Sequence, residues 1–328
     1  MSDAVQDPLI TGFSANAEGD VRSLQWSELT SEFEFANQGR VWLHLNRKSS
    51  EARTWLESVS GLDPLIVGIL FQEDTRPRAA RYENGILLNL RGANLNPGAE
   101  PTDMISIRIW ATEDVVITTR AHPIRAIDDL ADLYRANKPP ATHGDLVTFI
   151  ADRLTFRLEP IVAKLEEEAD ELEEDWLDQN TPAPKQNLAH FRRSALSLRR
   201  YIAPQKEALS SLVREGGGFL SDEAKLRLRE IQDITTRLAE DLDLARERAV
   251  VIQEQIVEQR AEAMNQRLFV LAIISAVFLP LGFFTGLFGV NIGGMPGVES
   301  PYAFPLFCAA LVALTGGLLY LFRKADWL

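Results

Sequence analysis

The strongest hydrophobic pattern in the chain is a pair of uncharged apolar runs near its end. The first, LFVLAIISAVFLPLGFFTGLFGV, occupies 268–290, and the second, YAFPLFCAALVALTGGLLYLF, occupies 302–322. A helix rises about 1.5 Å per residue, so roughly 20 apolar residues cross a hydrocarbon core about 30 Å thick. The pattern predicts two transmembrane helices, in preference to the alternative of two buried core helices.

Basic residues flank these runs on the same side of the predicted membrane. They are Arg260, Arg267, Arg323 and Lys324. The linker 291–301 has no Lys or Arg, and cytoplasmic flanks are the ones enriched in these residues. We therefore expect both termini in the cytoplasm, with 323–328 as a cytoplasmic tail and 291–301 as an outer loop.

The first part of the chain, 1–140, mixes two hydrophobic periods. Runs typical of strands occur at 40–46, 85–92, 104–112 and 114–120, and helical patterns occur at 49–59, 62–72 and 122–136. Strand and helix signals that alternate in this way are typical of a sheet covered by helices. We predict an α/β or α+β cytoplasmic domain over 1–140.

The next part, 141–218, is predicted to be a helical hairpin. Apolar residues from Leu158 to Trp176 recur at steps of three and four, with Glu and Asp between them. The turn DQNTPAPK follows, and then an Arg-rich helix from about 185 to 213. An acidic helix is thus expected beside a basic one. The acidic run 166–175 is either a solvated face or a regulatory cation sink.

A heptad pattern dominates 219–267, the predicted stalk helix. Its members alternate steps of four and three: Ala224, Leu228, Ile231, Thr235, Leu238, Leu242, Ala245, Ala249, Ile252, Ile256, Gln259 and Ala263. No Pro or Gly occurs from Phe219 to Leu279. One helix is therefore expected to run from the cytoplasm into the first membrane span, over about 100 Å.

Composition excludes several classes of function. The net charge is −13, which is the wrong sign for binding nucleic acid. Because the tail from Leu268 onward is charge-balanced, this excess lies in the cytoplasmic part and attracts cations through its long-range field. Cys308 is the one cysteine, so a reducing compartment fits best. The chain has no phosphate loop, nucleophile elbow or paired acid–base signature, and we expect no enzymatic activity.

A pore, if the protein has one, requires several copies, because two spans cannot enclose water while their backbone groups stay satisfied. One track along the stalk and first span keeps the steps of four and three: Glu254, Glu258, Ala261, Asn265, Leu268, Ala272, Ser275, Leu279, Gly282 and Gly286. It is acidic below the membrane and small or apolar within it. The track is either pore-lining or a lipid-facing surface whose small residues pack against a neighbouring helix. Glu254 and Glu258 are either cytoplasmic lumen charges or surface partners of Arg260.

The residues FLPLGFFTGLFGVN at 278–291 carry a family resemblance. With the short loop, the second span and the basic tail, they resemble the CorA superfamily of divalent-cation channels and transporters, whose hallmark is Gly-Met-Asn. Here Gly289, Val290 and Asn291 depart from that motif at its Met. NIGGMPG at 291–297 and FRKADWL at 322–328 are similar to the ZntB branch of zinc transporters.

The resemblance implies a funnel-shaped homopentamer in the bacterial inner membrane. Five copies of Gly289, Val290 and Asn291 would form the selectivity region at the outer mouth, where Asn291 would hold a divalent cation through its hydration water. The transported ion would be zinc, and proton coupling is also suggested. The open alternative for Asn291 is a helix cap, and that for Glu299 at the same mouth is a solvated loop residue. We expect no cofactor other than the transported ion.

The residues themselves do not favour zinc. Zinc prefers His and Cys ligands, yet neither span has a His, Asp or Glu, and Cys308 is expected to pack against a neighbouring helix. His44, His122, His143 and His190 lack metal-ligand spacing. Two alternatives remain, a magnesium or cobalt channel and a membrane-tethered coiled-coil scaffold that conducts nothing.

Overall fold

The computed structural model describes residues 7–30, 33–58, 60–73, 75–82, 84–177, 185–290, 295, 297, 299–325 and 327. The chain forms two compact units, Met1–Gln253 and Glu254–Leu328. The finer, seven-part domain division predicted above stays a prediction.

The first unit contains a mixed sheet of seven strands. They are β1 (Leu9–Ala15), β2 (Val21–Ser23), β3 (Arg40–Asn46), β4 (Arg78–Tyr82), β5 (Gly85–Gly92), β6 (Ile105–Ala111) and β7 (Val115–Arg120). Their order across the sheet is β2-β1-β3-β7-β6-β5-β4. The β3–β7 pair is parallel, with Val41 opposite Val115, and the other described pairs are antiparallel.

Eight α-helices follow or interrupt the strands in the described residues. They are α1 (Ser50–Ser58), α2 (Pro64–Phe71), α3 (Arg125–Arg135), α4 (His143–Phe156), α5 (Glu159–Leu177), α6 (Lys185–Glu215), α7 (Asp222–Phe288) and α8 (Ala303–Lys324). Helices α7 and α8 are long and apolar enough to cross a membrane. The mixed sheet, the long helix and the two candidate spans confirm the predicted fold class.

Side chains that alternate along each strand build two cores, one on each face of the sheet. On β3, Trp42 joins the core formed with α3, α4, the end of α6 and the start of α7. Its neighbour Leu43 joins the core formed with α1 and α2. This alternation follows from the two-residue period of a strand. The prediction of a sheet covered by helices is therefore confirmed.

The four strands and three helices predicted in this part are confirmed, and three further strands were missed. The missed strands are β1, β2 and β4. β1 is interrupted by Gly12 and Ser14, β2 has three residues, and β4 is the basic edge strand RAARY. Because none of them has a sustained apolar run, tertiary pairing and not local pattern decides their conformation.

The stripe predicted for the acidic helix α5 is mostly buried, with Ile161 and Trp176 half-buried. Leu158, Val162, Leu165 and Leu172 are all at most 4% exposed. A break that the pattern did not indicate separates α4 from α5 at residues 157–158. Its cause is Pro160, which has no N–H to donate and whose ring clashes with the carbonyl four residues earlier in a continuous helix.

The heptad positions of α7 are buried from Ala224 to Ile256, whereas Gln259 and Ala263 are exposed. Polar contacts on either side of this seam hold α7 to both hairpin helices. Arg199 of α6 binds the Asp243 carboxylate, and Arg248 of α7 binds Asp170 of α5. The predicted seam is therefore confirmed over its first ten positions, as a packing surface of α7.

The joint between α6 and α7 yields a testable prediction. Gly217 adopts φ +50°, and a Cβ there would lie 2.3 Å from Arg81 Nη1. Arg81 Nη1 donates a hydrogen bond of 2.9 Å to the Glu215 carbonyl. We expect Gly217→Ala to lower the free energy of unfolding by about 1–3 kcal/mol, because it strains the backbone and displaces Arg81.

Gly218→Ala is the matched control for this joint. A Cβ at Gly218 would meet no atom within 4 Å, so the expected change is about 0.5 kcal/mol or less. Denaturant unfolding of the detergent-solubilised protein, followed by tryptophan fluorescence, measures both values. Equal effects of the two substitutions would contradict this view of the joint.

Candidate functional site

The end of α7 carries the motif on which the resemblance rests. The helix ends at Phe288, and the Gly289 amide donates to the Thr285 carbonyl over 2.9 Å. Thr285 Oγ1 donates back to the Leu281 carbonyl over 2.9 Å. Gly289 and Val290 thus follow the helix directly, while Asn291 lies outside the described residues and its role stays a prediction.

A helix terminus of this kind suits a cation. The last carbonyl groups of a helix have no partner within it, and they carry a partial negative charge from the helix dipole. In α7 that terminus coincides with Gly289 and Val290, the described part of the motif. Backbone oxygen at this position can attract a hydrated cation without any charged side chain.

The predicted pore track lies on an open face of α7 in the second unit. Its exposed members are Asn265, Leu268, Ala272, Leu279, Gly282 and Gly286. Ser275 is half-buried, and its hydroxyl donates to the Leu271 carbonyl over 2.8 Å. A Cβ added at Gly282 or Gly286 would meet nothing within 4 Å. Both a water path and a neighbouring helix fit this open face, so the pore-lining role stays a prediction.

A different face of α7 from the track contains the half-buried residues of the first span and contacts α8 near its end. Half-buried residues of the first span include Ile273, Ala276, Val277 and Pro280, which lie away from the track by helical spacing. The Phe288 and Phe307 rings, one from each helix, are 5.1 Å apart between centroids. Packing within the second unit therefore leaves the track unoccupied by the chain's own second span.

Glu254 and Glu258 are exposed, and they continue a longer row of exposed residues that the sequence reasoning missed. Earlier on α7, exposed residues follow the same steps of four and three: Leu226, Glu230, Asp233, Arg237, Glu240, Leu244, Glu247 and Val251. The signal that could have found it is a carboxylate at every seventh position from Asp233 to Glu254. We call the carboxylates of Glu230, Asp233, Glu240, Glu247, Glu254 and Glu258 the acidic row.

The acidic row lies on the face of α7 that the hairpin helices leave open. The heptad seam occupies the other face and is buried from Ala224 to Ile256. Arg237 is the one basic residue among the exposed positions of this row from 226 to 258. Like charges aligned along one helix face add their fields and raise the local concentration of cations.

Glu299 and Cys308 are both exposed in the single chain. Glu299 is close in sequence to the end of the outer loop, where α8 begins at Ala303. The expected contact of Cys308 with a neighbouring helix is absent from the described part of this one chain. Both roles stay predictions about the assembled protein.

The histidines are separated from one another. His44 is 0% exposed and its Nδ1 lies 2.7 Å from Thr118 Oγ1, while His143 Nδ1 donates to the Thr112 carbonyl over 3.0 Å. His190 lines a small cavity with Glu168, Glu171 and Asp175. In the part of the chain that the structure describes, no three His, Cys, Asp or Glu side chains are placed to hold a metal ion.

Two buried histidines give a pH-dependence prediction. Burial lowers the pKa of His44 well below its usual value, with Arg120 adding to the effect. Burial also lowers the pKa of His143, against hydrogen bonds to the 112–113 backbone that raise it. Below about pH 6.5 the unfolded chain therefore binds protons that the folded chain does not.

The free energy of unfolding should consequently fall as the pH drops below about 6.5. Each histidine contributes a slope of up to about 1.4 kcal/mol per pH unit, until the pH reaches the pKa of that histidine in the folded protein. Denaturant titrations between pH 7.5 and 5 measure this slope. We expect His143→Gln to reduce it. An unchanged slope in that variant would exclude His143 as a source of the acid sensitivity.

Comparison with known proteins supplies an independent line of evidence. The family described as "CorA-like Mg2+ transporter protein" matches residues 37–324. The chain is 36% identical over 323 residues to the divalent cation transporter CmaX of Pseudomonas aeruginosa, covering 98% of this chain and 97% of that protein. It is 35% identical to the zinc transport protein ZntB of Pectobacterium carotovorum, covering 88% of each chain.

Solved structures agree with the fold described above. The full-length CmaX structure superposes with a TM-score of 0.82 at 34% identity, over 99% of this chain and 100% of that chain. The CorA magnesium transporter of Methanocaldococcus jannaschii superposes with a TM-score of 0.77 at 19% identity, over 97% and 98% of the two chains. The second similarity concerns the fold alone.

Proposed function

The chain belongs to the CorA family of divalent-cation transporters, and on that premise we propose that it carries zinc through a pore built by five copies. It is a transporter and not an enzyme. The observation that supports zinc is the similarity to ZntB over 88% of the chain, together with Val290 in place of the family's Met. The comparable similarity to a protein named simply a divalent cation transporter makes the choice of ion the first thing to test.

In the proposed pore, α7 of each copy lines the axis with the track from Asn265 to Gly286. Within the span these positions are small or apolar, and the Ser275 hydroxyl, which donates to the Leu271 carbonyl, is their one polar side-chain group, so they offer a cation too few ligands to replace its water. Divalent ions release that water reluctantly. We infer that the ion crosses the membrane largely hydrated, between walls that are mostly apolar.

Selectivity is proposed to arise at the mouth formed by Gly289, Val290 and Asn291. Carboxamide oxygens of five Asn291 side chains would accept hydrogen bonds from the ion's water shell, and the five α7 termini would add the partial charge of their carbonyl groups. Glu299 would attract cations to the same mouth. This arrangement requires no resident cofactor, because the divalent cation is the substrate.

On the cytoplasmic side, the acidic row is proposed to face the axis, with Glu254 and Glu258 nearest the membrane. This is supported by its exposure in the single chain and by its spacing, which continues into the pore track. The row would hold cations near the inner mouth without binding any of them tightly. The exposed carboxylates otherwise have no packing role on this face.

We further propose that the pentamer lies in the bacterial inner membrane with both termini in the cytoplasm. The two candidate spans and the positions of Arg260, Arg267, Arg323 and Lys324 support this topology. Residues 1–267 would then form a cytoplasmic funnel, and 291–301 would form the outer loop. If transport is coupled to protons, the titratable groups are Glu299 or cytoplasmic residues, since the spans contain no Asp, Glu or His.

Flux through the purified protein in liposomes tests this proposal. Zinc, magnesium, cobalt and nickel are compared at several pH gradients, with empty liposomes as the control. We expect zinc flux to exceed magnesium flux. A preference for magnesium or cobalt would show that this ion, and not zinc, is the substrate. The description of the matched family as a Mg2+ transporter supports magnesium as this alternative. Absence of flux for all four ions would reject the transport proposal.

A further inference from the structure

An apolar groove separates α7 from α8 at the end of the spans next to the 291–301 loop. Its volume is about 730 Å³. Its apolar walls include Phe284, Phe288, Leu306, Phe307, Leu311 and Leu314. The lip at the loop end is polar, with Ser300 and Tyr302. The groove therefore has a polar end next to the loop and apolar walls along the rest of its length.

Two aromatic rings that line the groove connect its two helices. Phe288 and Phe307 contact each other across the two helices, with centroids 5.1 Å apart and planes at 54°. On the open side, Leu306 is 75% exposed in the single chain. Within a membrane, an open apolar surface of this kind contacts either lipid or another apolar helix.

The length of the groove matches one leaflet of a bilayer. Along α8 its lining runs from Tyr302 to Leu314, which is about 18 Å at the helical rise. Half of a hydrocarbon core about 30 Å thick is about 15 Å. A lipid acyl chain that enters with its headgroup at the lip would therefore extend along the full length of the groove.

The charge at the lip favours one kind of headgroup. Glu299 is exposed and directly precedes the lip residue Ser300 in the chain, and the linker 291–301 contains no Lys or Arg. A headgroup with an ammonium can pair with this carboxylate. A headgroup that carries only phosphate and hydroxyls would meet a like charge and no cation.

We propose that this groove binds one acyl chain of phosphatidylethanolamine, with the lipid ammonium at Glu299. The proposal goes beyond ion transport, and it requires that the two helices lie in a membrane and that no second copy fills the groove. The bound lipid fills the space between the spans at the mouth and supports the α7 terminus that carries Gly289 and Val290. In this arrangement the Glu299 carboxylate pairs with the ammonium group of the lipid at the membrane surface and also attracts divalent cations from solution.

Photolabelling of the full-length protein tests the proposal. The protein is placed in phosphatidylethanolamine–phosphatidylglycerol vesicles that contain a trace of phosphatidylethanolamine with a diazirine in its acyl chain. After illumination, labelled peptides are mapped by mass spectrometry. We expect adducts on the groove wall, at Leu306 and Phe284, in preference to Phe304, which is 76% exposed but does not line the groove.

Two neighbouring alanines provide a matched pair of variants. Ala310 lines the groove, whereas Ala309 does not. Ala310→Phe should lower labelling of the groove wall about tenfold, since excluding about two methylenes of buried chain changes binding by that factor. Ala309→Phe should leave it unchanged. Glu299→Gln should abolish any preference for the phosphatidylethanolamine probe over a phosphatidylglycerol probe of the same chain.

Three outcomes would overturn the proposal. Equal labelling of Phe304 and the groove wall would indicate bulk lipid only. A second copy fills the groove if two results are found together. The groove wall is then not labelled, and a cysteine at Leu306 forms a disulfide with a cysteine on α7 of another copy. An unchanged headgroup preference in Glu299→Gln would exclude the ammonium contact. Zinc flux is measured on the same vesicles, so failure of transport and failure of lipid binding are distinguished.

Discussion

Zinc flux falls about tenfold to a hundredfold in Asn291→Ala, while the protein assembles and unfolds as the parent does. This is the expected result if five carboxamides order the water shell of the entering ion. Loss of their hydrogen bonds raises the barrier by about 1.4–3 kcal/mol, and each 1.4 kcal/mol is a factor of ten in rate. Liposome flux with a zinc-sensitive dye measures the effect.

Asn291→Gln is the matched variant at this position. It keeps the carboxamide and adds one methylene, so it should retain more flux than Asn291→Ala and lose some discrimination between zinc and magnesium. Size-exclusion chromatography with light scattering checks that all variants have the same mass. If Asn291→Ala conducts zinc as fast as the parent does, the proposed selectivity role of Asn291 is wrong.

The second large effect is expected from charge reversal in the acidic row. In Glu254→Lys/Glu258→Lys, each copy changes by four units of charge, and in the proposed pentamer these changes converge on one axis. We expect flux at low ionic strength to fall about tenfold, because a field of several kT no longer concentrates cations at the inner mouth. At about 1 M salt the Debye length is about 3 Å, and the difference should shrink to about twofold.

A pair on α5 controls for net charge. Glu171→Lys/Glu174→Lys makes the same change in charge on an exposed face of α5, outside the acidic row. Flux and its salt dependence should then stay close to those of the parent. Equal losses in the two double variants would mean that total charge, and not the position of the acidic row, controls the rate.

Much of the fold could be predicted from local patterns. The run RVWLHLN became β3 at Arg40–Asn46, and the heptads of α7 became a buried seam from Ala224 to Ile256. Both segments carry their own period over many residues, so local pattern and tertiary packing agree. β4 could not be predicted, because RAARY has no apolar alternation and is held by pairing with β5.

The candidate site was predictable to a smaller extent. The Gly289–Val290 pair could be placed at the end of the first span, and the structure ends α7 at Phe288. The acidic row was recognised only at Glu254 and Glu258, because its earlier members stand among other Glu and Asp residues. Exposure on one helix face, which depends on what α5 and α6 cover, was needed to separate Glu240 and Glu247 from their neighbours.

The choice of ion could not be derived from the residues. Track positions such as Ala272 and Leu279 supply no ligand, and the described chain has no cluster of metal-binding side chains. A pathway that handles a hydrated ion acts through water, geometry and field. These depend on the assembled ring, which a single chain does not contain.

The central claim is that the track of α7 faces water in the assembled protein. Thiol reactivity tests it most directly, with single cysteines in a Cys308→Ala background reconstituted in liposomes. Cysteines at Ala272 and Leu279 should react with a charged methanethiosulfonate reagent, and zinc should slow the reaction. Cysteines at Ile273 and Val277, which are half-buried on a different face of α7 from the track, should not react. Reactivity at Ile273 and Val277 with none at Ala272 and Leu279 would contradict the account.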